Sequence, residues 1–562
     1  TEGTNGTEGT NGTEGTNGTK GTTEGTNGTE GTNGTEGTNG IKVSTVEITE
    51  RQLVGLAKSS QVKAVRSLAT TNLESQRSLY QTEDTPITTT TGAPPSKQSC
   101  DEGSGQSGTT GQDAPQMTAN RSDIDSTNEK DYQPHVDSAT GEWIISERDI
   151  EYITIGVGLL GSGGGISPYL GKLRALKQLR SGKRIRVIAP ERLGTTPALQ
   201  GKVPSVAIMG APAVLMEKLL SGTNILRAIV CLRDVLAANP EDVRQQATSL
   251  ENADDNMNDG LVFVKDYTLC SKTSVPANRI CAIMAGEIGG LNAIEPLIAG
   301  AELDLPILDC DGIGRAFPKL QMFLPSIHKK PMYPAVLVSD GGQQSVIAEA
   351  ANSVQVENCF RNVVGGQMGC SGAMVFGPLC AEDILATTVP YSYSRAWHLG
   401  HVVMASQSSS SDPIQAIARA GNGVLLIRGK ITNINHETTG GFDKGDVLVE
   451  GSGEYSGVSF LVCFQNENLV AKEQKIVDGT LQEKIVAMTP DIITITDADK
   501  GHPVPTEEVQ YGLRVAVIAL PSPTVLRSPQ ALSVIGPRAF SYDVDFVPIA
   551  DYVPPTPIPP LP

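Results

Sequence analysis

Leu305-Pro306-Ile307-Leu308-Asp309-Cys310-Asp311-Gly312-Ile313-Gly314-Arg315-Ala316-Phe317-Pro318 is the stretch whose reading decides the fold. Its apolar opening, Leu305 to Leu308, has the length of a short buried strand and stops where the carboxylates begin. Asp309 and Asp311 are two residues apart, so on extended backbone both side chains leave from one face and Cys310 points away. Gly312 and Gly314 permit a tight turn or the close approach of a ligand, and Arg315 adds a rigid cationic fork. Two acids, two glycines and an arginine at a strand end read as a site. The competing reading is a turn whose carboxylates cap backbone amides and pair with Arg315.

Upstream, the same grammar repeats. Arg184 to Ile188 reads as a strand. Val203 to Met209 is another, ending in Gly210-Ala211-Pro212, and Val214 to Leu220 follows as a helix carrying Glu217. Ile280 to Met284 is a third, ending in Gly286-Glu287-Ile288-Gly289-Gly290-Leu291-Asn292. Strands alternating with helices predict an α/β N-terminal domain with a mostly parallel sheet, in which ligands sit beyond the carboxyl ends of strands. Glu287, Asn292, Asp309, Asp311, Arg315 and Gly210 all follow such ends. Residues 238–276, polar and acidic with a short apolar run at Leu261 to Val264, read as a surface insertion.

Ser146-Glu147-Arg148-Asp149 has the form of a capping box, and Ile150, Ile153, Val157 and Leu160 share one helical face behind it. Gly161-Ser162-Gly163-Gly164-Gly165 follows, with Ser167-Pro168 opening a second helix over Tyr169 to Leu179. A glycine loop feeding a helix start suits an anionic or carbonyl-bearing ligand on the amides of Gly163, Gly164 and Gly165. Gly156-x-Gly158-x-x-Gly161 also matches the dinucleotide fingerprint, which keeps a nucleotide-dependent enzyme as an alternative. That fingerprint requires a preceding strand, and these glycines fall inside a capped helix.

Beyond residue 326 the pattern changes. Gln367 to Gly377 reads as a loop or tight strand connection. Thr388 to Met404 reads as a helix carrying Ser394 and Arg395, with His398 and His401 three apart on one face as a candidate metal pair. From Gly423 to about Pro521, short β-type runs between Gly and Asp turns predict a compact β-rich C-terminal domain. Gln465 and Asn466, with Glu467, stand at a strand end where they reach an interdomain cleft or form a hydrogen-bonded turn. The run Pro554 to Pro562 reads as an extended, disordered tail.

The division expected is therefore residues 1–145 as repeat and linker, 146–325 as the α/β domain, 326–549 as the β-rich domain and 550–562 as a Pro-rich tail. Residues 1–40 are almost wholly a Thr-Glu-Gly-Thr-Asn-Gly repeat with nothing apolar to bury, which predicts a disordered N-terminal tail. Its Asn-Gly-Thr sequons matter only in a secretory setting. Glu50 to Leu68 carries a weak amphipathic stripe, and Thr85 to about Ala139 has linker composition. A net charge of −18 disfavours nucleic acid and anionic membranes as partners. No apolar run approaches the ~20 residues of a membrane span. The 9 cysteines form no CxxC pair, so buried free thiols of a reducing, cytoplasmic compartment are expected. The chain begins at Thr1, which suggests a fragment or processed form.

The succession Gly-Ser-Gly-Gly-Gly (161–165 with Ser162), Met-Gly-Ala-Pro (209–212), Glu-Ile-Gly-Gly-Leu-Asn (287–292) and Asp-Cys-Asp-Gly-Ile-Gly-Arg-Ala-Phe-Pro (309–318) resembles the S-methyl thiohydantoin desulfurase family. The resemblance continues through Arg428-Gly429-Lys430, Thr439-Gly440-Gly441-Phe442, Phe464 to Asn468, Tyr511 to Arg514 and Gly536 to Phe540, and spans about residues 146–549. It implies two domains, an α/β one followed by a β-rich one, and hydrolytic removal of sulfur from a thiohydantoin-type ring. Two positions depart from the family pattern: Lys319 stands where an acidic residue usually follows Phe-Pro, and Ile166 where a fourth glycine often stands.

For that chemistry Asp309, Asp311 and Glu287 are expected around an attacking water, as general base or as oxygen ligands of a divalent metal. Arg315 and the glycine amides would hold ring oxygens or a carboxylate tail. The partners expected are a small heterocyclic substrate and either a second copy of the chain or a hydantoinase. A non-catalytic hydantoinase accessory subunit is the alternative of a different class.

Overall fold

The computed structural model describes residues 129–218, 222–237, 278–439 and 442–561. The N-terminal repeat, the amphipathic stripe expected at 50–68, most of the expected linker and the 238–276 stretch read as an insertion lie outside these residues.

The described chain begins with a hairpin, β1 (His135–Val136) and β2 (Trp143–Ile144), which joins the main sheet rather than remaining linker. Trp143 is wholly buried there. Helix α1 (Glu147–Leu160) starts at Ser146, whose Oγ accepts the Asp149 N–H at 3.1 Å while Asp149 accepts the Ser146 N–H at 2.8 Å, the predicted capping box. Helix α2 (Tyr169–Arg180) and strand β3 (Arg186–Ile188) follow, then β4 (Val203–Gly210), α3 (Pro212–Lys218), α4 (Asn224–Ala237), β5 (Ile283–Ala285), α5 (Gly290–Leu303) and β6 (Ile307–Asp311). Then come β7 (Ala335–Val338), β8 (Gln344–Ile347), α6 (Ser353–Gln367), β9 (Ser371–Leu379), β10 (Val389–Pro390), α7 (Ser392–Ser408) and α8 (Pro413–Ala420).

The first sheet runs β1-β2-β3-β6-β5-β4-β9-β7-β8, with β10 on β6. Only β3, β6, β5 and β4 are mutually parallel; every other pairing is antiparallel, so the sheet is mixed rather than mostly parallel. The parallel core is the part the strand–helix alternation could announce. Strands β7 to β10 come from beyond residue 325 and complete this sheet, where the sequence suggested the second domain had begun. Residues 353–367, left unassigned by the sequence, are helical: Asn352 caps them and Val356, Phe360 and Val364 recur every four residues on the buried face. Gly365 and Gly366 lie in the last turn of that helix, and β9 occupies most of what read as a loop or tight strand connection.

The second sheet is antiparallel throughout, in the order β15-β14-β13-β12-β11-β17-β16. Its strands are β11 (Val424–Thr439), β12 (Phe442–Gly451), β13 (Ser459–Gln465), β14 (Glu467–Val477), β15 (Thr480–Met488), β16 (Ile492–Asp497) and β17 (Arg514–Leu520). One face of it, through Ile492, Ala516, Ile518 and Leu520, shares a hydrophobic cluster with α1, α5 and α7. The two sheets are therefore parts of one body.

Helices α1 and α7 cross in backbone contact. A Cβ on Gly156 would lie 1.8 Å from the Ala396 carbonyl oxygen, and one on Gly400 would lie 1.9 Å from that of Tyr152. The first glycine of the apparent dinucleotide fingerprint is thus a helix-crossing residue in the middle of α1, which removes the strand-turn context nucleotide binding requires. Gly156→Ala is expected to lower stability by about 2–3 kcal/mol through overpacking, read as a lower denaturant midpoint. A midpoint equal to wild type contradicts the crossing.

The C-terminal segment is extended, as expected, but it is docked. Ile558 N–H donates to Ser394 Oγ at 2.9 Å, His398 Nε2 pairs with the Thr556 carbonyl at 2.9 Å, and Arg395 stacks over Tyr552. The cysteines are less buried than expected: Cys281 and Cys310 are interior, Cys231 and Cys463 half-buried and Cys359 exposed. Among the described residues no helix is long and apolar enough to cross a membrane.

Candidate functional site

A cavity of ≈ 90 Å³ opens where the carboxyl ends of β4 and β5 meet the start of β14. Its apolar wall includes Ile166, Ile208, Phe317, Phe323, Met374 and Phe376, and its polar groups are Glu287, Asn292, Lys319, Glu357, Arg361, Asn466 and Glu467. Gly165 and Gly210 also line it. Gly210 pairs so closely with β9 that a Cβ would meet the Cys370 carbonyl at 2.6 Å.

Glu287 sits in the turn between β5 and α5. Its Oε1 accepts the Asn292 side-chain N–H at 2.7 Å and its Oε2 accepts the Phe317 backbone N–H at 3.1 Å. Asn292, one turn into α5, is itself fixed because its Oδ1 accepts the Ile208 N–H at 2.8 Å. Burial pushes the Glu287 carboxyl up to about 7, against the pull of those two donors.

Glu467 opens β14 directly after Asn466, which has φ 60°. Its side chain is buried, and its Oε2 has no hydrogen-bond partner among the described residues. Burial first, and then the charge of Glu287, raise its carboxyl well above the usual range; Arg315 opposes this. Two carboxyls thus share one cavity, one braced by donors and the other with one oxygen unpartnered. The Gly164 Cα leaves room for this: a Cβ there would lie 2.5 Å from Glu467 Oε1. Asn466 stands beside it with its Oδ1 accepting the Asp443 N–H at 2.8 Å.

Of the Leu305–Pro318 stretch, Ile313, Phe317 and Pro318 line this cavity, whereas Asp309, Asp311 and Arg315 do not. Asp309 and Asp311 belong to β6 rather than to the loop after it. Asp311 Oδ2 accepts the N–H groups of Ile288 (3.0 Å), Ile313 (3.0 Å) and Gly314 (2.6 Å), and Ser392 Oγ donates to its other oxygen. Asp309 Oδ1 accepts the N–H groups of Tyr393 (2.7 Å) and Ser394 (3.1 Å) at the start of α7, a favourable place for an anion. Burial lifts both carboxyls to about 6. The two acids do leave one face, and that face binds the α7 terminus and the turns. Cys310 points elsewhere, its Sγ 3.6 Å from Met284 Sδ, and burial above all raises its thiol.

Arg315 is also placed apart from the cavity wall. It donates to the carbonyls of Ala316 (3.1 Å), Asp491 (2.7 Å) and Asn468 (2.8 Å) and lies 4.6 Å over the Phe317 ring. It pairs with neither Asp309 nor Asp311; it ties the first sheet to the second and sets a positive charge behind Glu287 and Glu467. Gly163 gives its carbonyl to Thr506 at 2.9 Å, and Ser162 Oγ bridges β14 and β16 through Asn468 and Ile493. Of the three loop glycines only Gly165 reaches the cavity, and Gln465 does not line it. His398 and His401 face the C-terminal segment and the Glu129 carbonyl respectively. The five metal candidates, Glu287, Asp309, Asp311, His398 and His401, do not converge; no group of three or more metal-binding side chains gathers among the described residues.

Ile166 has φ 68°, a left-handed conformation that is a strained one for a β-branched residue, and its side chain lines the cavity. Glycine at this position would adopt that backbone freely and leave the cavity larger.

The S-Me-THD-like N-terminal domain matches residues 148–349 and the S-Me-THD-like C-terminal domain matches residues 351–549. The chain belongs to the S-Me-THD-like family. A crystal structure of a protein from Chromobacterium violaceum shares 21% sequence identity, with a TM-score of 0.52 over 72% of this chain and 100% of that one, a likeness of fold. No curated protein matches the chain. Both matched domains of this chain contribute to the cavity: Glu287 comes from the first and Glu467 from the second.

Proposed function

We propose that this protein is a hydrolase that removes sulfur from a thiohydantoin-type ring, with Glu287 as general base and Glu467 as general acid. The observation that carries the reading is the pair of buried carboxyls on one cavity with unequal surroundings. Two donors favour the ionised form of Glu287, whereas Glu467 has a bare oxygen and a neighbouring negative charge, so it keeps its proton. Membership of the S-Me-THD-like family supports a thiohydantoin-type substrate.

For an S-methyl thiohydantoin the balance is simple. Water loses a proton to Glu287 as its oxygen bonds to the ring carbon that bears sulfur. The carbon–sulfur bond then breaks, the departing thiolate takes the Glu467 proton, and the proton on Glu287 restores Glu467. Products are the hydantoin and methanethiol. The apolar wall of Ile208, Phe317 and Phe376 keeps bulk water from the ring and strengthens both carboxyls' fields. Asn466 lines the cavity, and the NH₂ of its side-chain amide would meet the ring's polar edge.

The test is a pH–rate profile with a purified S-methyl thiohydantoin. kcat/KM is expected to rise as Glu287 loses its proton near pH about 7 and to fall again where Glu467 loses its own. Glu287→Gln removes the base and is expected to cost about 10²–10⁴-fold. A flat profile, or a Glu287→Gln enzyme at wild-type rate, overturns the assignment.

A further inference from the structure

The cavity contains a cation that the chemistry above does not use. Lys319 lines it, half-buried, on extended backbone at φ −140° and ψ 143°. The peptide groups on either side of it are clamped by α6: Arg361 Nη2 donates to the Pro318 carbonyl at 3.1 Å, and Glu357 Oε2 accepts the Leu320 N–H at 3.1 Å. Glu357 and Arg361 bind each other, with Arg361 Nε 2.9 Å from Glu357 Oε1, so the guanidinium charge is answered within α6. The charge on Lys319 is not. Among the described residues it forms no ion pair, and its ammonium stands 5.6 Å over the Phe442 ring, which also carries Arg361.

We propose that the ring taken by this cavity carries an anionic arm, a carboxylate in the simplest case, and that Lys319 is the residue that recognises it. This rests on the reading of the cavity as a ring-binding site. Glu287 holds the Phe317 N–H, and Lys319 lies two residues further along the same rim, a path of at most ~7 Å of chain. An arm one or two carbons long on a ring beside Glu287 brings a carboxylate within the lysine's span. A half-buried ammonium beside apolar walls gains more from an anion than one in open water, because less solvent competes for it. The aromatic face of Phe442 holds the ammonium over the rim without neutralising it. The rigid clamp from α6 fixes where the side chain starts, so little ordering cost remains when the anion arrives.

Calorimetric titration of the full chain with hydantoin-5-acetic acid and with its primary amide tests this. The wild type is expected to bind the acid about tenfold more tightly than the amide, and added salt to narrow the gap. Lys319→Met is expected to bind both alike, and Lys319→Glu to prefer the amide; thermal melts of both variants establish that they are folded. Equal binding of acid and amide by the wild type overturns the role of Lys319 and leaves the ring reading in place. A preference that survives Lys319→Met likewise assigns the arm to another residue. If neither ligand binds, the ring reading falls and this inference falls with it.

Discussion

Replacing Glu467 by glutamine is expected to cost about 10²–10⁴-fold in turnover while making the protein more stable at alkaline pH. The first effect follows from removing the proton donor for the departing sulfur. The second follows from linkage. A carboxyl whose folded value lies above its unfolded value of 4.5 contributes stability that is complete below 4.5, and this is lost as the pH rises toward the folded value. Glutamine does not titrate, so the variant escapes that loss and is more stable than wild type at pH 8. Thermal melts at pH 5 and pH 8 give the check: the difference between variant and wild type should be small at the lower pH and positive at the higher one. A Glu467→Gln protein that is fully active, or less stable at both values, contradicts the assignment. Glu287, lifted to about 7, has the same sign over a narrower range. An acid kept at a cost in stability fits the trade-off between stability and activity at functional sites.

Asp311 is expected to behave in the opposite way, with a large loss of stability and little direct role in turnover. Its Oδ2 gathers three backbone N–H groups from two different turns, and its other oxygen takes Ser392. Asp311→Ala strands those donors in the interior and is expected to cost about 3–5 kcal/mol. Asp311→Asn keeps a carbonyl oxygen for the three amides and turns its NH₂ toward the Ser392 hydroxyl, so it should cost about 1–2 kcal/mol and leave most of the activity. Denaturant midpoints and rates on the same preparations separate the two roles. A folded Asp311→Asn enzyme with no turnover would make Asp311 a participant in the chemistry.

That contrast shows what could be read from residues alone. The parallel core, the capping box at Ser146 and the convergence of loops at strand ends were legible, because each rests on local spacing. The ten-stranded sheet was not, since β7 to β10 join it through antiparallel pairings that no periodicity announces. The two aspartates looked like a site because carboxylates that cap amides and carboxylates that bind water have the same sequence signature. Only the partners distinguish them. Glu467 was visible as a residue able to reach a cleft, yet its pairing with Glu287 depends on two domains meeting across 180 residues of chain. Lys319 was visible as a departure from the family pattern; what it faces required the fold.

In the proposed reaction the Glu287–Glu467 cavity adds water to the sulfur-bearing ring carbon. The measurement that reaches this most directly is product analysis of an S-methyl thiohydantoin incubated with the protein in ¹⁸O-labelled water. Methanethiol and a hydantoin with one ¹⁸O at the former sulfur-bearing carbon are expected from the wild type, and from Glu287→Gln only at a rate about 10²–10⁴-fold lower. An unaltered thiohydantoin, or a product without label, would contradict it.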